Sequence, residues 1–160
     1  MANKDQPFQI LMVCTGNICR SPMAEGLLRH YLPDDLKERI EVASAGTGAL
    51  HGYQAQEHAI EAMAGLGIDI GNHRARQLTR SIARNADLIL VMEAFHLGQV
   101  KRFLGWGQNK PRMISEFDSD TPVQDIQDPY GEPLAAYQTC IKALRPCIRG
   151  VILWLGSNLQ

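Results

Sequence analysis

The sequence predicts an α/β fold with three layers (αβα), in which a central four-stranded parallel sheet lies between two layers of helices. Short continuous apolar runs such as FQILMVC (8–14) are typical of strands buried on both faces. Segments with the apolar spacing of helices alternate with these runs, as in parallel sheets. No repeat, linker or low-complexity segment interrupts the pattern, so we expect one domain over residues 1–160.

The predicted elements follow one another in order. After the first strand and a polar gap, a helix begins with Ser21 as N-cap and Pro22 at the first helical position, and Pro33 ends it. The second strand is IEVASAG (40–46). The remaining predicted elements are a helix in QEHAIEAMAGLG (56–67), a short helix in SIARNA (81–86), a strand in DLILVM (87–92), a helix in AFHLGQVKRFLG (94–105), a strand in PRMISEF (111–117), a loop rich in Asp and Pro (118–133), and an amphipathic helix from about Leu134 to Leu155 with a kink or break at Pro146.

Composition and charge limit the function classes. The chain has 160 residues, a formal net charge of -1 and 21% charged residues, so no global field attracts nucleic acid or an anionic membrane. No stretch approaches the ~20 apolar residues of a membrane span, and the first residues have no signal-peptide pattern. We therefore expect a cytoplasmic protein with no nucleic-acid partner and no membrane insertion.

The four cysteines are expected to be reduced thiols, because no export signal is present. Cys14 and Cys19 are close in sequence, whereas Cys140 and Cys147 lie far along the chain in the last predicted helix, where they suit packing. This spacing does not fit a structural zinc site. We expect neither a metal nor a cofactor.

The gap CTGNICRS (14–21) has the features of an anion site. It lies at the carboxyl end of a parallel strand, where ligands bind in such sheets. Backbone N–H groups at the start of a helix have no partner there and attract anions. Gly16 and Asn17 suit the unusual backbone angles of a tight loop. Arg20 presents a planar fork that can bind two oxygens of a phosphate-like group.

The same gap supplies a nucleophile. The N–H groups and Arg20 would stabilise Cys14 as a thiolate, and Ser21 could donate a hydrogen bond to its sulfur. A thiolate below a bound phosphate is aimed at phosphorus. A lone cysteine at a strand end is more often a packing residue, but packing does not explain Gly, Asn, Arg and Ser together in one loop.

These residues resemble the loop V-C-x-G-N-x-C-R-S-P of the low-molecular-weight protein tyrosine phosphatase family, which here is VCTGNICRSP (13–22). The likeness continues in SAGTGA (44–49), HRARQL (73–78), DLILVME (87–93) and DPY (128–130). The resemblance implies a flavodoxin-like, Rossmann-like fold with the phosphate-binding loop after strand one. It also implies a single phosphatase domain that hydrolyses phosphotyrosine in proteins and binds phosphate-like anions.

The resemblance also implies roles for individual residues. Cys14 would be the nucleophile that forms a phosphocysteine, Arg20 would bind the phosphoryl oxygens, and Asp128 would be the general acid and base. Cys19 would form a reversible disulfide with Cys14 that protects it from oxidation. The phosphate-binding loop would consist of Thr15, Gly16, Asn17, Ile18, Cys19 and Ser21; Ser44 and His73 would support it; and Leu50 and Tyr130 would form the walls of the substrate pocket.

Leu50 stands where many family members carry an aromatic residue. This departure resembles the bacterial branch linked to capsule and exopolysaccharide production, whose substrates are membrane tyrosine autokinases. Glu93 stands where other members often have Asp, and no role is assigned to it. The other acidic residues of the long loop, Asp118, Asp120 and Asp125, are expected to be solvated. The arginines Arg74, Arg76, Arg80 and Arg84 either attract an acidic phosphopeptide or form a solvated basic face.

Other functions remain open from the sequence. A thioredoxin-coupled arsenate reductase uses a similar loop but needs two further cysteines near the middle of the chain, and residues 75–100 contain none. A protein-arginine phosphatase of the same family tends to carry Thr where this chain has Ile18. A non-catalytic phosphate-binding module would be expected to lack Cys14 or Asp128. A nucleotide-binding flavodoxin-like protein would not need the Cys and Arg of the loop.

Overall fold

The computed structural model describes residues 6–105 and 110–159. Its elements alternate between strand and helix for most of the chain. In order they are β1 (Phe8–Cys14), α1 (Arg20–Tyr31), α2 (Asp34–Lys37), β2 (Ile40–Gly46), α3 (Glu57–Ala64), α4 (Arg80–Asn85), β3 (Leu88–Val91), α5 (Ala94–Leu104), β4 (Pro111–Met113), a 3₁₀ helix (Ile114–Phe117) and α6 (Leu134–Asn158).

The four strands form one parallel sheet in the order β2-β1-β3-β4. In this sheet Cys14 at the end of β1 pairs with Gly46 at the end of β2, and Val13 pairs with Val91 at the end of β3. The carboxyl ends of three strands therefore meet at one edge. The predicted four-stranded parallel sheet is confirmed.

Side chains of the central strand β1 divide the core into two halves. Ile10 and Met12 are buried on the face covered by α1, α3 and α6. Leu11 and Val13 are buried on the opposite face, with residues of α4 and α5. Because successive strand residues point to opposite faces, a strand covered on both sides is a continuous apolar run. The predicted three layers are confirmed.

The first helix begins two residues earlier than predicted. Arg20 is its first residue and Cys19 its N-cap, so the prediction of Ser21 as N-cap is wrong. The hydroxyl of Ser21 contacts the loop before the helix instead of capping it. Pro22 is tolerated in the first turn because N–H groups there have no partner within the helix.

The fourth strand is shorter than predicted, and the last helix is longer. Only Pro111–Met113 pairs with β3, and the chain then turns into the 3₁₀ helix. This 3₁₀ helix packs against α6, which runs without a break through Pro146 to Asn158. A Cβ at Gly150 would lie 1.7 Å from the carbonyl oxygen of Phe117, so only glycine allows this close approach.

Two further features complete the fold. The short helix α2 follows Pro33, which the sequence marked only as the end of α1. Cys140 and Cys147 are buried in the core side of α6, as their packing role predicts. Within residues 6–105 and 110–159, no helix has the length and apolar character needed to cross a membrane.

Candidate active site

The loop of residues 15–19 connects the end of β1 to the start of α1, at the carboxyl edge of the sheet. The backbone carbonyls of residues 14–19 all accept hydrogen bonds from other parts of the protein. Their donors are, in order, the N–H groups of Thr47, Gly48 and Leu50, the Nε2 atom of His73, and the N–H groups of Gln56 and Met23. The carbonyls are thus fixed by neighbouring segments, which orients the whole loop.

The N–H groups of the same loop are available to a ligand. Within the described ranges 6–105 and 110–159, the N–H groups of residues 15–19 donate to no protein acceptor. They lie beside the first turn of α1, whose dipole adds partial positive charge. A ring of free donors at a helix start is an anion site. The predicted anion-binding character of this gap therefore has a structural basis.

Asn17 fixes the shape of the loop. It is fully buried and has a positive φ of 59°, a conformation that asparagine tolerates better than most residues. Its side-chain oxygen accepts from the N–H of Arg76 at 2.9 Å. Its side-chain nitrogen donates to Ser21 and Ser44 at 2.7 and 2.9 Å. The prediction that Gly16 also needs an unusual backbone angle is wrong, because its φ is not positive.

Gly46 is a loop determinant that the sequence reasoning missed. It ends β2 directly beside Cys14. A Cβ there would lie 2.3 Å from the carbonyl oxygen of Thr15 and 3.0 Å from the Cβ of Asn17. The loop can follow this path only because position 46 has no side chain. The glycines of the SAGTGA motif are visible in the sequence, but the neighbouring residues do not indicate which glycine contacts the phosphate-binding loop.

The sulfur of Cys14 is buried and lies 2.9 Å from the hydroxyl oxygen of Ser21. That oxygen already accepts a hydrogen bond from the amide of Asn17. The hydroxyl proton of Ser21 is therefore free to donate to Cys14. This contact stabilises a thiolate, because hydrogen bonds to charged groups are the stronger ones.

Ser44 and His73 lie where the resemblance implies loop support. Ser44 accepts the hydrogen bond from Asn17, and His73 donates from Nε2 to the Asn17 carbonyl at 2.7 Å. Behind them lies Glu25 of α1, whose Oε2 accepts from the Ser44 hydroxyl at 3.4 Å and is 3.7 Å from Nδ1 of His73. The supporting role of Glu25 was not predicted from the sequence, because its position in α1 does not indicate contacts with Ser44 and His73.

Arg20 is almost completely buried, with a side-chain exposure of 2%. Its Nη1 donates to the carbonyl of Ile126 at 2.8 Å and is 3.3 Å from Oε1 of Glu93. Its Nη2 is 3.4 Å from Oδ2 of Asp128. Two segments distant in sequence, one with Glu93 and one with Ile126 and Asp128, thus hold the guanidinium in the site. A buried charge needs such partners to offset its desolvation.

Asp128 lies over the loop at the start of DPY. Its side chain is 47% exposed, and its Oδ1 accepts from the N–H of Tyr130 at 3.1 Å. It therefore reaches both Arg20 and solvent, as a group that exchanges protons must. The structure brings Cys14, Arg20 and Asp128 to one cleft.

This cleft has a volume of about 260 Å³. Apolar side chains of Ile18 and Leu50 contribute to its lining, and Tyr130 stands at its mouth with a largely exposed ring. Its floor is formed by the phosphate-binding loop and its polar groups. The complete lining is Cys14, Thr15, Gly16, Ile18, Cys19, Arg20, Gly48, Leu50, Asp128 and Tyr130.

Cys19 is buried and contacts the hydroxyl of Tyr137 on α6, at 3.5 Å from its sulfur. Burial raises the pKa of the Cys19 thiol to about 12, so this sulfur is held as a neutral thiol. All four cysteines are free in the structure. The reversible disulfide between Cys14 and Cys19 stays a prediction.

Two of the other loop aspartates are accessible to solvent, as expected, and also accept hydrogen bonds. Asp125 accepts from the N–H of Ala94 at 2.9 Å and so holds the start of α5. Asp118 accepts from the hydroxyl of Thr121, which lowers the pKa of its carboxyl. Both contacts order the loop that carries Asp128.

The predicted basic cluster is not uniformly a solvated face. The guanidinium of Arg76 donates from Nε to the carbonyl of Ser44 at 2.9 Å. Arg74 donates to the carbonyls of Gly71 and His73 in its own loop. Arg76 therefore supports the strand end beside the site.

A thiol below free N–H donors, with a guanidinium and a carboxyl group in the same cleft, is the arrangement of an enzyme that acts on phosphate esters. The family model described as low molecular weight phosphotyrosine protein phosphatase matches residues 9–159. The chain belongs to this family of hydrolases.

Individual proteins that are similar to this chain support the family assignment. The chain is 44% identical over 147 residues to a protein of Ralstonia nicotianae named "Probable low molecular weight protein-tyrosine-phosphatase EpsP", covering 91% of this chain and 92% of that one. It is similar to the YwlE arginine phosphatase from Geobacillus stearothermophilus, with a TM-score of 0.83, 34% identity and 94% of each chain covered. It is also similar to Vibrio vulnificus Wzb in complex with benzylphosphonate, with a TM-score of 0.81, 32% identity and coverage of 92% and 99%.

Proposed function

We propose that this protein hydrolyses phosphotyrosine in proteins through a phosphocysteine on Cys14. The observation that carries the proposal is the convergence of three groups in one cleft: the Cys14 thiol within the loop of free N–H donors, the Arg20 guanidinium, and the Asp128 carboxyl. The N–H groups and Arg20 supply the positive charge that phosphoryl transfer requires.

The first step transfers the phosphoryl group to sulfur. The Cys14 thiolate attacks phosphorus, so that an S–P bond forms while the P–O bond to the tyrosine breaks. Asp128 gives its proton to the leaving phenolate oxygen, which departs as neutral tyrosine. The N–H groups of the loop and Arg20 hold the three equatorial oxygens throughout. Ser21 stabilises the thiolate before attack.

The second step returns the enzyme to its starting state. Asp128, now a carboxylate, takes a proton from a water molecule that attacks phosphorus. The S–P bond breaks, Cys14 leaves as a thiolate, and inorganic phosphate is released. The hydrogen bond from Ser21 stabilises the Cys14 thiolate in both steps. It keeps the nucleophile ionised in the first step and makes the thiolate a better leaving group in the second.

The lining of the cleft favours an aromatic ester. Ile18, Leu50 and Tyr130 contribute apolar surface to its lining, which suits a phenyl ring. A similar protein, Vibrio vulnificus Wzb, has been solved with benzylphosphonate, which carries such a ring. The similarity to an arginine phosphatase makes phosphoarginine the second candidate. Phosphotyrosine is favoured, because the apolar Ile18 side chain offers no hydrogen bond to a guanidinium.

The cellular setting is part of the proposal. The mechanism needs Cys14 as a reduced thiol, which fits a reducing compartment such as the cytoplasm. The protein substrate that we infer is a membrane tyrosine autokinase in polysaccharide production, on the resemblance of Leu50 to that bacterial branch. Direct assay of such a kinase in its phosphorylated form tests this finer assignment.

Substrate comparison tests the proposed reaction. We expect the protein to hydrolyse p-nitrophenyl phosphate and a phosphotyrosine peptide, with kcat/KM for this peptide well above that for a matched phosphoarginine peptide. Cys14→Ser should abolish both activities, while the exposed control His30→Asn should keep them. Preference for phosphoarginine, or activity that survives in Cys14→Ser, would contradict the proposal. Arsenate-dependent oxidation of reduced thioredoxin would identify a reductase instead.

A further inference from the structure

His96 lies in the first turn of α5, fully buried behind the phosphate-binding loop. Its Nε2 is 2.8 Å from the hydroxyl oxygen of Thr15, the first loop residue after Cys14. Its Nδ1 is 3.1 Å from the backbone nitrogen of Glu93, the N-cap of the same helix. This imidazole has no part in either the transfer of the phosphoryl group to Cys14 or the hydrolysis of the phosphocysteine.

The two contacts determine the state of the ring. The backbone N–H of Glu93 can only donate, so Nδ1 of His96 must accept and carries no proton. Nε2 therefore bears the hydrogen and donates it to the hydroxyl oxygen of Thr15. A protonated ring would place an N–H of Nδ1 against the N–H of Glu93. The geometry thus requires a neutral imidazole.

The ring also contacts the group that holds Arg20. Oε2 of Glu93 is 3.6 Å from Nε2 of His96, while Oε1 of the same carboxylate is 3.3 Å from Nη1 of Arg20. The carboxylate is further oriented by the capping box, in which it accepts from the backbone N–H of His96. The buried His96 side chain is therefore close both to Thr15 of the loop and to Glu93, the carboxylate that pairs with Arg20.

We propose that His96 is a positioning residue of the phosphatase site, which holds Thr15 and Glu93 so that the loop N–H groups and Arg20 meet the phosphoryl oxygens together. The inference rests on the proposed function. It differs from a purely packing role, because it requires one tautomer and one specific hydrogen bond to the loop.

The charges around the ring agree with this state. Burial and then the nearby Arg20 lower the pKa of His96 to about 4, while Asp125 and Asp128 act in the opposite direction. The carboxylate of Glu93 faces the ring from its own helix. At neutral pH the imidazole is uncharged, and it gains a proton only as the pH falls to about 4.

Two replacements separate the two contacts. His96→Asn places an oxygen near the position of Nδ1 and can still accept from Glu93, but it is too short to reach Thr15. His96→Gln places an amide nitrogen near Nε2 and can still donate to Thr15. We expect His96→Asn to lower kcat/KM and to weaken inhibition by inorganic phosphate, each by roughly tenfold, the scale of one buried hydrogen bond. His96→Gln should restore much of the loss, and the exposed control His30→Asn should match the wild type.

A double-mutant cycle tests whether Thr15 carries the effect. Thr15→Val removes the hydroxyl and keeps the shape, so it should match His96→Asn, and the double variant should lose no more than either single one. All variants are assayed well below their melting temperatures. Losses that multiply, or phosphate inhibition that is unchanged in His96→Asn, would overturn the inference.

Nitrogen-15 NMR of the wild-type imidazole gives a readout that does not depend on activity. We expect a proton on Nε2, none on Nδ1, and no titration between pH 5 and 8. A proton on Nδ1, or titration near the ordinary histidine value of about 6.5, would overturn the inference even with normal activity. Failure of the wild type to hydrolyse phosphotyrosine would instead refute the proposed function.

Discussion

The hydroxyl oxygen of Ser21 lies 2.9 Å from the sulfur of Cys14 and accepts a hydrogen bond from the amide of Asn17. The Ser21 proton is therefore directed at the nucleophile. This arrangement links the buried polar residues that shape the loop to the atom that attacks phosphorus, and it gives Ser21 a role in both chemical steps.

Ser21→Ala should lower kcat for p-nitrophenyl phosphate by about 10- to 100-fold, the scale of a hydrogen bond to a charged group. The KM should change little, because Arg20 and the loop N–H groups still bind the phosphate. Steady-state kinetics measures both constants. Ser157→Ala, at an exposed position near the end of α6, is the control. A normal kcat in Ser21→Ala would show that the hydroxyl does not act on the sulfur.

Asp128→Asn should reduce hydrolysis in a way that depends on the leaving group. The loss should be about 100-fold for phenyl phosphate, whose phenolate needs a proton to leave, and clearly smaller for p-nitrophenyl phosphate. The neighbouring Asp120→Asn, which is exposed in the same loop, serves as the control. Equal losses for the two esters would argue against Asp128 as the proton donor.

Alkylation should distinguish Cys14 from the other cysteines. Burial raises the pKa of Cys19 and Cys140 to about 12 and that of Cys147 to about 11, so these thiols carry almost no reactive thiolate at pH 7.5. Iodoacetamide should therefore modify the native protein once, on Cys14, and inorganic phosphate should slow the reaction. Mass spectrometry of peptides identifies the site.

The unfolded protein is the control for alkylation and should take up four adducts. Towards pH 11 the native protein should begin to react at Cys147 first, because its pKa is the lowest of the three buried thiols. Early modification of Cys19 or Cys140 at pH 7.5 would contradict their burial as neutral thiols.

Gly150→Ala should destabilise the fold by about 3 kcal/mol, because the added methyl group cannot avoid the Phe117 carbonyl without a shift of backbone. The matched control is Gly156→Ala on the same helix, where a Cβ meets nothing within 4 Å. That change should raise the free energy of unfolding by about 0.5 kcal/mol through helix propensity. Urea unfolding measures both values. Similar stabilities for the two variants would contradict the close approach.

The order of strands and helices could be predicted because its signals are local. A buried strand such as Phe8–Cys14 is a continuous apolar run, and the phosphate-binding loop follows it directly. The short β4 illustrates the limit. The apolar spacing of PRMISEF suits a strand over the whole segment. However, Ile114–Phe117 forms a 3₁₀ helix instead, because it packs against α6.

The partners of the loop could not be predicted, because they are distant in sequence. Arg20 donates to the carbonyl of Ile126, 106 residues away, and a carbonyl carries no side-chain signal. His96 lies 81 residues from Thr15. The Glu93 and His96 spacing is that of a capping box, but with residue types other than the usual Ser or Thr followed by Glu, so it was not a recognisable signal.

Trapping the intermediate tests the central claim most directly. Wild type and Asp128→Asn are mixed with a phosphorus-32-labelled aryl phosphate and quenched within milliseconds, and the labelled peptide is sequenced. We predict label bound through sulfur at Cys14 in the wild type and in Asp128→Asn, and no label in Cys14→Ser. The labelled fraction should be larger in Asp128→Asn than in the wild type if this change slows the attack of water more than it slows phosphoryl transfer. Rapid turnover by the wild type with no label on Cys14 at any quench time, or label on another residue, would contradict the phosphocysteine mechanism.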